Sequence, residues 1–117
     1  MMKHWQLVHI YDPARDEIIE WPIEVKKDLG SILTKLQRRE RVGMPDVRSM
    51  SSVAKGCSEI RLKDVSGIFR VFYVIESENG ILVFHAFKKK TEQTPQKEIE
   101  TAQKRLVAFL KEFENES

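Results

Sequence analysis

The sequence predicts a single α+β domain spanning residues 1–117: a small, antiparallel-rich sheet of about four strands with helices packed on one face. Three observations predict it. Three apolar segments follow one another closely between residues 59 and 87, separated by turn signals. Amphipathic helical stripes flank them on both sides. The 117 residues are 41% hydrophobic and 32% charged, enough for one core and no second domain.

The first strand is Trp5 to Ile10 (WQLVHI), which alternates weakly and carries aromatic and branched residues. Asp12-Pro13 supplies an N-cap and a first-turn proline, which opens a short helix over residues 14–21. Trp21-Pro22 restarts or bends it. Val25, Leu29, Ile32, Leu33 and Leu36 then form one stripe, with Lys26, Lys27, Lys35 and Arg38 opposite. This helix is expected to end near Arg41, with Gly43 close to its cap and Pro45 beyond. Residues 43–57 read as a loop of small and polar residues.

Glu59 to Lys63 (EIRLK) alternates as a half-buried strand does. After a turn at Asp64 to Gly67, Ile68 to Ile75 (IFRVFYVI) is almost continuously apolar and therefore central. Asn79-Gly80 is a hairpin signal, since a tight turn needs positive φ. Ile81 to Phe87 (ILVFHAF) is the next strand. Thr94-Pro95 opens the last helix, whose Ile99, Ala102, Leu106, Phe109, Leu110 and Phe113 share one face.

Composition excludes several classes of function. No apolar run reaches the ~18 residues of a membrane span, and no signal peptide is expected at the start. Cys57 is the only cysteine, which excludes an intrachain disulfide and a multi-cysteine zinc site and fits a reducing cytoplasm. Signatures of phosphate-binding loops, dinucleotide folds, serine hydrolases and zinc proteases are absent. His4, His9 and His85 lack metal-ligand spacing. The net charge of +2 conceals a middle segment, residues 24–63, of net +5, and the adjacent Lys88, Lys89 and Lys90. That distribution is first of all what the solvated faces of ordinary elements show, and it also suits a polyanion such as nucleic acid.

Arg70 interrupts the most apolar strand. A guanidinium keeps its proton and is costly to bury unpaired. It therefore pairs with an acid, reaches a face open to water, or awaits an anion. Alternation puts Ile68, Arg70, Phe72 and Val74 on one face, and Phe69, Val71, Tyr73 and Ile75 on the other. The second, more apolar set is expected to meet the helices. Arg61, Lys88 and Lys89 are placed to converge near Arg70, and cations beside aromatic rings suit RNA backbone and bases. A salt bridge from Arg70 to Glu59 or Glu76 is the other reading.

Taken together, Glu59-Ile60-Arg61-Leu62, Arg70 within its strand, His85-Ala86-Phe87-Lys88-Lys89-Lys90-Thr91, Thr94-Pro95, and Glu98-Ile99 with Ala102 and Arg105 resemble the HigB branch of the RelE/ParE toxin superfamily, including its phage-derived members. The specific part covers about residues 58–106. The resemblance implies a RelE-like fold and a ribosome-dependent mRNA endonuclease, with no metal or organic cofactor. The substrate's own 2′-hydroxyl attacks the adjacent phosphate. The implied partners are a helix-turn-helix, HigA-like antitoxin and mRNA on the ribosome. Residue by residue, it implies Arg70 as transition-state stabiliser, Lys89 for charge stabilisation and His85 as acid or base; Arg61, Lys88 and Lys90 hold substrate. Gln93 replaces a lysine of many relatives, and no tyrosine follows Tyr73, which leaves the general base unassigned. A ParE-like gyrase poison and an inactive prophage relative are the alternatives.

Overall fold

The computed structural model describes residues 5–89 and 93–115. Eight elements follow in order: β1 (Val8–Ile10), α1 (Asp12–Ile19), α2 (Ile23–Gln37), β2 (Val47–Ser49), β3 (Ser58–Asp64), β4 (Gly67–Glu76), β5 (Gly80–Lys89) and α3 (Gln96–Asn115). The strands form one sheet in the order β1-β5-β4-β3-β2. β1 runs parallel to β5, and the other pairs are antiparallel. The sheet therefore has five strands where about four were expected. The extra one, β2, lies within the segment read as loop; three residues are too few to show a period.

The helices do not share a face, which corrects the sequence expectation. Val25, Leu29, Ile32 and Leu36 of α2 pack with Trp21 on Ile60, Phe69, Val71 and Tyr73. Ala102, Leu106 and Phe109 of α3 pack on Phe72, Val74, Leu82 and Phe84 on the opposite face. β4 and β5 lie between these layers, which is why both read as nearly continuous apolar runs; a strand covered on both sides has no polar face to show. Trp21 anchors the first layer, edge-on to Phe69 with ring centroids 4.9 Å apart and its indole N–H donated to Glu17 at 2.8 Å.

Pro22 separates α1 from α2 as the N-cap of the second helix. α2 stops at Gln37, four residues before the expected end, because Arg39 turns left-handed at φ 65°. The Arg39 and Glu40 amides donate back to the Leu36 and Lys35 carbonyls at 3.0 Å each, which satisfies the helix end without a glycine. Gln37 then ties β1 to α2. Its carbonyl accepts from the Gln6 amide at 2.9 Å, and its side chain donates to the Gln6 carbonyl at 3.0 Å. Gly80 opens β5 at φ +86°, where an added Cβ would sit 2.5 Å from the Leu7 carbonyl oxygen. Glycine is thus required twice there, by backbone conformation and by space.

Candidate active site

The register of β3, β4 and β5 sets out the α3-side face in rows. Glu59, Phe72 and His85 form one row; Arg61, Arg70 and Phe87 the next; Lys63, Ile68 and Lys89 the last. Arg48 on β2 extends the first row, opposite Glu59. Cross-strand partners share a face, so the strand pleat sets Arg48, Arg61, Lys63, Arg70 and Lys89 on the same face as Glu59.

Glu59 is fully buried and Arg70 is 1% exposed, and Arg70 donates from Nη1 to Glu59 Oε1 at 2.7 Å. Arg48 donates from Nε to the same oxygen at 2.8 Å, with its side chain 40% exposed. Thr94, ahead of α3, donates to Oε2 at 3.4 Å. Arg61 faces Arg70 directly across the β3–β4 pair. Like charges so placed repel, and Glu59 offsets that repulsion. The salt-bridge reading of Arg70 therefore describes its surroundings, and the exposed and half-buried cations at the rim are Arg48, Arg61, Lys63 and Lys89.

Lys88 stands apart. It pairs in register with Phe69, on the α1–α2 side, and its Nζ lies over the Phe69 ring at 5.2 Å. Lys88 and Lys89 are thus on opposite faces, as alternation requires. Lys90 lies outside the described residues.

His85 reaches the Arg70 face through a β-bulge. Phe72 pairs with His85, but Tyr73 pairs with Val83, leaving Phe84 as an extra residue on β5. Strict alternation from Ile81 and Val83 would have turned His85 toward α2; the bulge turns Phe84 and His85 both toward α3. The ring is 2% exposed, beside Phe72 and Phe87. Arg105 of α3, which has only donors, gives Nη1 to His85 Nδ1 at 2.9 Å, so Nε2 carries the ring proton and donates it to Glu98 at 2.9 Å. Burial, and secondarily the Arg105 charge, hold the imidazole pKa below its usual 6.5, although Glu98 pulls the other way. A neutral imidazole is the form this geometry demands. Glu98 and Arg105 are seven residues apart, two helical turns, and so face β5 together. The cleft beside His85, about 390 Å³, is lined on its α1 side by Asp16, Glu17 and Glu20. It is acidic, unlike the rim that Arg48, Arg61, Lys63 and Lys89 form on the same face.

Sequence reasoning missed Arg48 and Lys63. Lys63 was legible, since EIRLK places Glu59, Arg61 and Lys63 on one side. Arg48 left no signal, because its strand is three residues long. Cys57 is buried and its thiol is pushed up to about 12, mainly by burial, so it offers no thiolate. Among the described residues, no three His, Cys, Asp or Glu side chains are grouped to hold a metal ion, and no helix is long and apolar enough to cross a membrane.

A search of curated proteins finds no match to this chain. A family profile described as phage-derived protein Gp49-like (DUF891) matches residues 16–107, from α1 into α3. The match takes in the cationic rows, the bulged strand and the histidine's partners on α3, and through it the chain belongs to the phage-derived Gp49-like family, a RelE/HigB-like toxin family.

Proposed function

We propose that this protein is the toxin of a type II toxin–antitoxin pair and cleaves mRNA on the translating ribosome. The observation that carries the reading is the α3-side face, where the strand register sets Arg48, Arg61, Lys63, Arg70 and Lys89 side by side, with Glu59 bonded to Arg48 and Arg70. Such a surplus of positive charge attracts a polyanion and stabilises the dianionic, phosphorane-like transition state of phosphodiester cleavage.

In this mechanism the substrate's 2′-hydroxyl attacks the neighbouring phosphorus, and the bond to the 5′-oxygen breaks. The 2′-hydroxyl gives up its proton to water as its oxygen bonds to phosphorus, and water returns a proton to the departing 5′-oxygen, so the products are a 2′,3′-cyclic phosphate and a 5′-hydroxyl end. Arg61 and Lys89, at the rim, bind the scissile phosphate and the charge that develops on it. Arg70, bridged to Glu59, supports that charge from behind the rim and fixes the sheet face beneath. His85 stays in its relay with Glu98 and Arg105 and holds α3 against β5. The ribosome orients the 2′-hydroxyl in line, which supplies part of the rate. A helix-turn-helix antitoxin is the partner that restrains the toxin.

The test is induction of the protein alone in a bacterial host, with mapping of new mRNA 5′ ends. New ends inside translated frames are expected, together with growth arrest. Both should be lost in an Arg61→Gln, Lys89→Gln double variant that folds normally. Arrest of DNA replication without new RNA ends would replace this reading with gyrase poisoning.

A further inference from the structure

We infer that Arg48 is a phosphate-binding residue for single-stranded RNA, held at the sheet edge by Glu59; this deepens the ribonuclease reading and rests on it. Arg48 sits in the middle of β2, the edge strand, fixed by the pairs Val47–Ile60, Arg48–Glu59 and Ser49–Ser58. Its Nε–H is committed to Glu59 at 2.8 Å. A guanidinium carries five N–H donors in a rigid fork, so the four on its terminal amino groups remain. Among the described residues none of these four makes a hydrogen bond shown by the structure, and the side chain is 40% exposed.

This is a preorganised phosphate fork. An exposed arginine ordinarily loses rotamer freedom when it grips an anion. Here a charge-assisted bond to a fully buried carboxylate has already fixed the side chain, and Glu59 cannot neutralise it alone because Arg70 shares the same oxygen. Another exposed arginine, Arg38, is placed differently: it lies over the Trp5 ring at 5.1 Å and pairs with Glu40.

The position of Arg48 adds direction. Arg61 is its diagonal neighbour on β3, and such neighbours lie about 7–8 Å apart. Lys63 follows Arg61 two residues along the same face, about 7 Å further, and Lys89 shares the Lys63 row across Ile68. The four cations form a track from the β2 edge to the end of β5. A chain of phosphates following it would pass Arg48 first or last, beyond the scissile position at Arg61 and Lys89. Arg48 then contributes to substrate affinity and leaves the chemical step to the others.

The experiment is fluorescence anisotropy of a labelled single-stranded RNA oligonucleotide titrated with the full chain at several salt concentrations. It compares the wild type, Arg48→Gln, Arg48→Lys and the surface control Lys27→Gln, with a thermal melt of each. Arg48→Gln is expected to weaken binding about five- to tenfold and to flatten the salt slope by about 0.7, the share of one phosphate contact on a single strand. Arg48→Lys should restore the slope while binding remains weaker than wild type, because the fork is lost. Lys27→Gln should match wild type. If Arg48→Gln does not fold, Arg48→Lys decides: wild-type affinity would overturn the fork. Wild-type affinity and slope in a folded Arg48→Gln protein would overturn the inference alone. Absence of salt-dependent RNA binding by the wild type would overturn the inference, whereas the ribonuclease reading falls only if induction produces no new mRNA 5′ ends.

Discussion

Arg70 and Glu59 form an ion pair at 2.7 Å in which both side chains are cut off from water. A pair of this kind contributes little net stability compared with a well-packed apolar pair, yet removing one partner strands the other. Arg70 is central to the sheet and Glu59 ties it to Arg48 on β2 and to Thr94 ahead of α3, so one carboxylate links three segments.

Glu59→Gln is therefore expected to destabilise the fold by about 3–5 kcal/mol, since it removes the buried negative charge that Arg70 and Arg48 share. A double variant, Glu59→Leu with Arg70→Met, should recover most of that loss. Urea denaturation measures both; equal stabilities for Glu59→Gln and wild type would show that the pair carries no such penalty.

The adjacent lysines separate cleanly. Lys89→Gln should weaken RNA binding and toxicity about threefold to tenfold, because Lys89 shares the cationic face. Lys88→Gln should leave both near wild type, because Lys88 lies over Phe69 on the other side. Equal losses in the two variants, measured by the same anisotropy titration, would place the RNA elsewhere.

His85 makes stability fall on the acid side. Its folded pKa lies below the ordinary 6.5, so the unfolded chain takes up the proton first as the pH drops. The stability tied to the neutral ring is complete above about pH 6.5 and is lost as the pH falls toward the folded value. The protonated ring no longer accepts from Arg105, which loosens α3 from β5. Melting temperatures between pH 5 and 8 should therefore decline more steeply for wild type than for His85→Gln. Parallel curves would assign the decline to other groups.

Two glycines respond oppositely to alanine. Gly80→Ala meets the Leu7 carbonyl and a positive φ, so a loss of about 2 kcal/mol or more is expected. Gly30→Ala, inside α2 with nothing within 4 Å of the new methyl, should gain about 0.5–1 kcal/mol. Thermal melts of the two variants suffice.

Much of this protein is determined by the sequence. Periodicity located β3 and α3 closely, and continuous apolar runs bounded by turn signals located β4 and β5. The EIRLK alternation and the lone arginine of β4 marked the charged face, and the α3 stripe fell where Ala102, Leu106 and Phe109 are buried.

What only the tertiary structure decided depends on contacts between distant segments. A strand of three residues such as β2 acquires its identity from pairing with β3, so Arg48 was invisible beforehand. An apolar run does not say whether one or two layers will cover it, so the placement of α3 opposite α1 and α2 required the packed molecule. The direction of His85 hung on a single extra residue in β5. One inserted position reverses every side chain beyond it, and local sequence carries no mark of where the register slips.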